Sequence, residues 1–223
     1  MIIIAEAGIA HNGDIQIAKE LVDKAKWTGA DIVKFQTFWG INRMKKYELT
    51  KNEWGELRDY CVDKDITFLS TPHTFEAIHF LDYQTPMYKV ASPYLCVPNF
   101  LMEIASKNKP ILLSTGSLVH KNGMATDEEI RYALSFIPDA DVTLLHCVSQ
   151  YPCPDRHISR IVDLGQKFDR PVGISDHTKE IKMPRLPVIE KHIMLDGVKS
   201  IDESVSLTPD KFKEMVDYLR RSE

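Results

Sequence analysis

Long apolar runs are absent from this 223-residue sequence, and no segment approaches the roughly 18 apolar residues that a membrane-spanning helix needs. The first residues carry no positively charged leader, and their apolar run is too short for a signal peptide. Lys and Arg form no stripe, and the net charge of −4 arises from interspersed acids and bases. We therefore expect a cytoplasmic protein whose partners include neither nucleic acid nor a membrane.

Cysteine clusters and glycine-rich loops are also missing. The four cysteines lack the spacing of a metal site and are expected to be free thiols. No glycine-rich loop follows the first apolar run, which disfavours a dinucleotide-binding open sheet. No linker, repeat or low-complexity segment divides the chain, so residues 1–223 are expected to form a single domain.

Short apolar runs alternate with amphipathic helical patterns along the whole chain, which is typical of parallel strands joined by helices. Eight such strands predict an α/β fold of the closed (β/α)₈, or TIM barrel, type, with a doubly wound open sheet as the alternative. Only residues 178–186 separate the last two strands, so the helix between strands seven and eight is expected to be shortened or missing. The predicted strands are residues 2–7, 32–36, 67–71, 87–91, 111–114, 142–146, 172–175 and 188–192, and the predicted helices are residues 15–28, 51–64, 74–83, 99–107, 126–136, 158–168 and 209–221.

Two histidines, His177 and His192, each follow or close one of the last two predicted strands. Neighbouring parallel strands would bring both imidazoles to the carboxyl end of the barrel, where barrel enzymes carry out their chemistry. Two neutral imidazoles at one place favour a divalent metal site, although each alone could be a satisfied core histidine. His11 and His73 occupy loops and are expected to be either additional ligands or surface residues.

Two lysines, Lys34 and Lys89, are embedded in apolar strands, where lysine is rare unless it is paired. Together with Ser and Thr hydroxyls at the strand ends they could form a cradle for an anion such as phosphate. The alternatives are structural ion pairs with Glu6 or Glu190, or a lysine that forms a Schiff base with a carbonyl substrate.

Each predicted strand carries a motif at its end, and these motifs are residues 5–8 with 11–14, 29–37, 68–72, 88–92, 113–116, 144–147 with 151–152, 173–178 and 188–192. In this order the motifs resemble those of the N-acetylneuraminate (sialic acid) synthase family, whose members condense phosphoenolpyruvate with an N-acetylated amino sugar. The resemblance covers nearly the whole chain, with one motif for each strand. It implies a TIM barrel, an enzyme that forms a carbon–carbon bond and releases phosphate, and a 3-deoxy-2-ulosonic (nonulosonic) acid as product.

The resemblance also implies roles for individual residues. His177 and His192 would be the metal ligands, with Mn²⁺ or Mg²⁺ as the ion, and Asp176 would support the metal site. The implied catalytic residues are Glu6, Lys34, Lys89 and His177. The implied partners are phosphoenolpyruvate and a small sugar, and a homo-oligomer is possible. The substrate-binding residues that the resemblance implies are Gln36, Thr71, Ser92, Ser114, Ser149, Tyr151, Ser175 and Asp176.

Several features depart from the family pattern. Members of the family usually carry a small C-terminal domain whose arginine reaches a partner's site, and we expect that arginine to have no counterpart in residues 1–223. The segment 38–51 is shorter than usual, and Ser149 stands where the family has asparagine. Pro93 and Tyr94 follow Ser92 where the family has glycine and an acidic residue that contacts the sugar.

These departures affect the sugar more than phosphoenolpyruvate. The sequence therefore predicts a minimal synthase that condenses phosphoenolpyruvate with an aldose or an N-acetylated amino sugar, and the departures favour a related acyclic or smaller aldose. Three alternatives remain open: a synthase that uses an unmodified sugar phosphate, a catalytically silent homologue that binds a phosphorylated sugar or a partner, and a Schiff-base aldolase.

Overall fold

Eight parallel strands surround a central axis in the computed structural model, which describes residues 1–221. The backbone ladder runs in the order β3-β2-β1-β8-β7-β6-β5-β4, and β4 contacts β3 without being paired to it by the ladder. The barrel is therefore nearly closed, as the sequence predicts. The strands are β1 (Ile2–Gly8), β2 (Ile32–Thr37), β3 (Thr67–Pro72), β4 (Tyr88–Val90), β5 (Ile111–Ser114), β6 (Val142–Cys147), β7 (Val172–Asp176) and β8 (Val188–His192).

Seven α-helices, within the part of the chain that the structure describes, pack on the outside of the barrel. Residues 177–187 between β7 and β8 contain no helix, which confirms the expected gap in the outer layer. The predicted ends of strands and helices differ from the observed ends by no more than two residues. The helices are α1 (Ile15–Thr28), α2 (Lys51–Asp63), α3 (Phe75–Leu81), α4 (Pro98–Ala105), α5 (Asp127–Ser135), α6 (Ser159–Phe168) and α7 (Pro209–Arg220), and short 3₁₀ helices span Asn42–Tyr47 and Ser92–Tyr94.

Helix starts are fixed by local capping. The Asp14 side chain accepts hydrogen bonds from the first backbone amides of α1, and capping boxes formed by Thr50 with Glu53 and by Thr126 with Glu129 start α2 and α5. None of the helices within residues 1–221 is both long enough and apolar enough to cross a bilayer.

The interior of the barrel has an apolar floor at the amino ends of its strands. Successive side chains of a strand point to opposite faces, so every second residue points inward. Gly173 takes the place of a floor side chain on β7, because an added Cβ would lie 2.4 Å from the Val188 carbonyl oxygen and 2.9 Å from Leu145 Cδ2. The floor residues are Ile4, Ile32, Leu69, Met87, Leu112, Leu145 and Val188.

His11 is part of the outer core, so the expectation that it is a ligand or a surface residue is wrong. It is completely buried, and its ring makes edge contacts with Phe35 and Trp54 at centroid distances of 5.9 and 6.1 Å. The backbone N–H of Gly13 donates a 3.1 Å hydrogen bond to His11 Nδ1. Burial lowers the pKa of His11 to about 4, and the carboxylate of Asp14 only partly opposes this.

This buried imidazole makes stability depend on pH. Because the folded pKa of His11 is depressed, its contribution is complete above pH 6.5 and is lost as pH falls towards 4. We expect His11→Asn to reduce the loss of unfolding free energy between these pH values by roughly 3 kcal/mol relative to the wild type. Urea unfolding across this range measures the difference.

The matched control for this experiment is His79→Asn, because His79 is exposed. This variant should keep the pH dependence of the wild-type protein. Parallel curves for the wild type and His11→Asn would show that His11 does not titrate between the two states.

Candidate active site

A cavity of about 160 Å³ opens at the carboxyl ends of the strands, directly above the apolar floor. Its composition follows from the inward side-chain alternation. On each strand, the residue two positions after the floor residue also points inward, and so does the residue four positions after it. These residues form a middle layer and a rim layer above the floor. The resulting middle layer is Glu6, Lys34, Thr71, Lys89, Ser114, Cys147, Ser175 and Glu190, and the rim layer includes Gln36, His73, Ala91, Ser149, His177 and His192.

Nearly all site residues predicted from the sequence line this single cavity. Asp176 is the exception: its side chain points to the outside of the barrel, where Lys191 and Arg156 bind it. Asp176 was expected to bind substrate, and its position outside the cavity does not support that role. The predicted residues that line the cavity are Glu6, Lys34, Gln36, Thr71, Lys89, Ser92, Ser114, Ser149, Tyr151, Ser175, His177 and His192.

Three further lining residues were not among the catalytic, substrate-binding or metal-binding residues predicted from the sequence, although His73 was expected to be a ligand or a surface residue and Glu190 a partner of a lysine. His73, Cys147 and Glu190 also line the cavity, and each lies two residues beyond an inward-facing residue of its strand. Counting by twos along each strand would therefore have found them. Asp202 comes from the loop after β8 and lies with its Oδ2 3.8 Å from His192 Nδ1; strand periodicity carries no signal for it.

Two lysines and two glutamates form a buried, charge-balanced cluster in the middle layer. Lys34 Nζ lies 2.6 Å from Glu6 Oε2 and 3.5 Å from Glu190 Oε2. Lys89 Nζ lies 3.9 Å from Glu190 Oε1 and donates a 2.7 Å hydrogen bond to Ser114 Oγ. The ion pairs considered from the sequence are therefore present, and they lie inside the cavity.

Glu6 is the member of this cluster whose charge is easiest to change. Burial raises the pKa of Glu6 to about 7; Lys34 opposes the shift and the carboxylate of Glu190 adds to it. Burial acts on Glu190 in the same sense, but Lys34 and Lys89 outweigh it and lower the pKa of Glu190 to about 2. Two carboxylates that share one lysine thus differ in affinity for a proton, which is a common arrangement in acid–base chemistry.

The two predicted metal-binding histidines lie side by side, with ring centroids 5.5 Å apart. His177 Nδ1 lies 2.7 Å from the Val148 carbonyl oxygen, which can only accept, so Nδ1 carries the proton. The lone pair of His177 Nε2 then faces the Tyr151 hydroxyl at 2.9 Å. His192 Nδ1 is buried without a hydrogen-bond partner, and burial lowers the pKa of His192 well below its usual value, as does the neighbouring His177.

This pair suits a divalent ion in its donor chemistry. A backbone carbonyl that holds Nδ1–H and leaves Nε2 free is a usual arrangement for a metal-binding histidine. In residues 1–221, no group of three or more His, Cys, Asp and Glu side chains is arranged to hold a metal ion. Water or substrate oxygens would therefore have to supply the remaining ligands.

Three small residues, Ser92, Gly116 and Ser149, at the carboxyl ends of β4, β5 and β6 leave room for an anion. Gly116 has no side chain there, and an added Cβ would lie 2.2 Å from Ser149 Oγ and 2.6 Å from Ser92 Oγ. The two hydroxyls therefore meet over the backbone of residue 116. The Ser114 hydroxyl lies beside the ammonium group of Lys89, so the same wall of the cavity offers directional donors and a positive charge, which are the features that bind phosphate.

Tyr94 supports His73 rather than facing the cavity directly. Its hydroxyl donates a 2.7 Å hydrogen bond to the His73 carbonyl oxygen, and its ring stacks on Phe100 with centroids 4.2 Å apart. The side chain of His73 in turn stacks on Phe38 at 4.0 Å. The departure from the family pattern at residue 94 thus removes a carboxylate from this edge and adds an aromatic support.

Removing the central lysine should destabilise the fold. In Lys34→Met, Glu6 and Glu190 lose the ammonium group between them, and an uncompensated buried charge costs roughly 3 to 5 kcal/mol. The matched control is Lys19→Met, which breaks the Lys19–Glu56 pair, whose side chains are 21% and 54% exposed. We expect a loss below about 1 kcal/mol there. Equal unfolding midpoints for the two variants in urea would contradict the central role of Lys34.

Known proteins resemble this chain over nearly its whole length. A sequence profile of the NeuB family matches residues 40–223. The chain is 38% identical to an uncharacterized protein of Methanocaldococcus jannaschii, over 98% of this chain and 69% of that protein. It is 33% identical to the N,N'-diacetyllegionaminic acid synthase of Legionella pneumophila, over 99% of this chain and 72% of that enzyme.

A solved structure has the same architecture. The N-acetylneuraminic acid (sialic acid) synthetase from Leptospira borgpetersenii serovar Hardjo-bovis, in complex with citrate, superposes with a TM-score of 0.90 at 30% identity. The match covers 99% of this chain and 82% of that one. The resemblance seen in the strand-end motifs is thereby confirmed, and the chain is an enzyme that belongs to the NeuB family of sialic-acid-type synthases.

Proposed function

We propose that this enzyme condenses phosphoenolpyruvate with an aldose or an N-acetylated amino sugar, giving a 3-deoxy-2-ulosonic (nonulosonic) acid and phosphate. The observation that carries the proposal is that a lysine–serine anion site and a pair of metal-suited histidines line the same cavity. One cavity can therefore hold a phosphorylated acid and a sugar aldehyde together, which is the positioning that a condensation needs.

The anion site is where phosphoenolpyruvate would bind. Lys89 with Ser114, and Ser92 with Ser149, would contact its phosphate and carboxylate, and Thr71 beside Lys34 would complete the set. With all four charged groups ionised the buried cluster is neutral; protonation of Glu6 makes it +1. A carboxyl with a pKa of about 7 can therefore take up a proton when an anionic substrate enters.

His177 and His192 would hold a divalent ion, Mn²⁺ or Mg²⁺. When bound, such an ion supplies a Lewis acid that polarises the sugar aldehyde. The chain's own residues position the reaction: the cradle fixes phosphoenolpyruvate so that its C3 faces the aldehyde carbon. C3 forms the new carbon–carbon bond to the aldehyde carbon, and the aldehyde oxygen takes up a proton to become a hydroxyl. Water adds at the electron-deficient C2 with loss of a proton. The C2 hydroxyl then loses its proton to give the ketone as the bond between C2 and the phosphoryl-bearing oxygen breaks, and phosphate leaves into the cationic cradle. Glu6, beside Lys34, is placed to exchange a proton with the reacting oxygen atoms.

The acceptor sugar is the part on which this chain differs from the family pattern. At residue 94 a tyrosine stands where the family pattern has an acidic residue; its hydroxyl binds the backbone of His73, and the His73 imidazole lines the cavity. An aldose or an amino sugar that presents fewer groups to that edge would fit this surface. We therefore propose a test on several acceptors rather than on one sugar.

The direct test is phosphate release from phosphoenolpyruvate with Mn²⁺ across a panel of aldoses and N-acetylated amino sugars. We expect release with at least one acceptor, and its loss in His177→Ala. His79→Ala, which changes an exposed histidine away from the cavity, should behave like the wild type. Mass spectrometry of the product should show a 3-deoxy-2-ulosonic acid.

Other outcomes identify the alternatives. Protein that binds Mn²⁺ and phosphoenolpyruvate but releases no phosphate with any acceptor would be a silent homologue. Turnover without a divalent ion, with borohydride trapping a substrate on Lys34 or Lys89, would point to a Schiff-base aldolase.

The anion site has its own test in Gly116→Ala. The added Cβ would push the Ser92 and Ser149 hydroxyls aside, and these flexible groups can rotate without disturbing the fold. We expect the KM for phosphoenolpyruvate to rise at least tenfold, about 1.4 kcal/mol of binding energy, with little change in the unfolding midpoint. Gly55→Ala, which meets nothing within 4 Å, is the control. An unchanged KM would place the phosphate elsewhere.

A further inference from the structure

An ion network lies on the outer face of β7 and β8, where the barrel has no covering helix. Asp176 and Lys191 are paired in register on these two strands, and their side chains point away from the cavity. Lys191 is completely buried, and its Nζ donates a 2.7 Å hydrogen bond to Asp176 Oδ2. The network therefore links the two strands at the level where their backbone ladder ends.

Arg156, from the segment before α6, completes this network. Its Nε and Nη2 lie 3.1 and 3.0 Å from Asp176 Oδ2. Its other bonds go to the connector 177–187: Nη1 donates to the Lys182 carbonyl at 2.7 Å, and Nη2 donates to the Glu180 carbonyl at 2.8 Å. One guanidinium thus ties a non-helical connector to the barrel wall through carbonyl groups that a helix would have satisfied internally.

Thr178 joins the two cations. Its hydroxyl is 2.9 Å from Arg156 Nη2 and 3.2 Å from Lys191 Nζ, and Lys191 also donates to its carbonyl oxygen. Its backbone N–H donates to Asp176 Oδ1 at 3.0 Å. Buried ion pairs of this kind seldom stabilise more than well-packed apolar residues would, so covering the strands does not explain them.

We propose that Arg156, Asp176 and Lys191 are positioning residues that fix the separation and orientation of the two cavity histidines. This inference rests on the proposed metal site. Asp176 directly precedes His177, and Lys191 directly precedes His192. The ladder between β7 and β8 includes Asp176 and Lys191 as its last pair, so the side-chain bond is the link nearest to the histidines on these strands.

A shift at this link would be passed directly to the imidazoles. Each histidine is one residue further along, on the opposite face, so a change in the spacing of residues 176 and 191 moves both rings. Binding of a divalent ion by two side chains is sensitive to such shifts, and residues that orient metal ligands typically affect affinity by about 10- to 100-fold.

The test is Mn²⁺ binding to the full chain, followed by electron paramagnetic resonance, for Arg156→Met and Lys191→Met. We expect each variant to bind Mn²⁺ at least tenfold more weakly than the wild type and to show an altered Mn²⁺ spectrum. Arg156→Lys, which keeps the charge but loses the planar fork, should recover part of the affinity. The KM for phosphoenolpyruvate should stay within twofold of the wild-type value, because the cradle residues Lys89, Ser114, Ser92, Ser149 and Thr71 make no hydrogen bond to this network.

The matched control is Arg160→Met. Arg160 is also largely buried and binds a carboxylate, that of Asp127, at 2.5 Å, but makes no bond to the connector. It should leave Mn²⁺ affinity unchanged. If Lys191→Met fails to fold, Thr178→Val removes the hydroxyl shared by the network while keeping every charge, and a severalfold loss of affinity is expected.

Folded variants of Arg156 and Lys191 with wild-type Mn²⁺ affinity would overturn the positioning role. A wild-type protein that releases phosphate from phosphoenolpyruvate yet binds no Mn²⁺ would overturn it too, while leaving the synthase activity standing. A wild-type protein that binds Mn²⁺, loses affinity in the variants and releases no phosphate would support the positioning role and refute the proposed function.

Discussion

The buried cluster of Glu6, Lys34, Lys89 and Glu190 is the interaction on which the site depends. Each charged side chain lies directly above the apolar floor of the barrel and is almost completely buried, so each needs a partner inside the protein. Mutual pairing satisfies this need. Together with burial it also separates the pKa values of the two carboxyl groups, which are about 7 for Glu6 and about 2 for Glu190. The structural and functional interpretations of these lysines are therefore compatible, because the same ion pairs neutralise the buried charges and line the cavity.

Most of the fold and most of the cavity lining could be predicted from the sequence. Strands of apolar, β-branched residues fix which positions face inward, and polar residues at the ends of such strands converge at the barrel mouth. The side chains of Lys34, Thr71, Lys89 and Ser175 follow this rule. Odd and even positions of one strand differ in the face that they occupy, and this is why Asp176, next to His177, lies outside the cavity.

What could not be predicted depends on contacts between segments that are distant in sequence. His11 belongs to a loop, and only the packing of Phe35 and Trp54 around it decides that it is buried. Tyr94 follows a cavity residue, yet its hydroxyl bonds to the backbone of His73. Asp202 reaches His192 from a loop with no periodic pattern. Loops lack the inward and outward alternation of side chains that allows positions on a strand to be assigned from sequence, so the positions of loop side chains are known only from the structure.

The barrel wall is held together less strongly between β3 and β4 than between its other neighbouring strands. The ladder is continuous elsewhere within residues 1–221, but these two strands touch without backbone pairing. Thr71 and Lys89 stand on either side of that junction, so the wall can widen there without breaking a backbone hydrogen bond. Any expansion of the cavity would thus be directed towards Thr71 and Lys89, away from the histidines on β7 and β8.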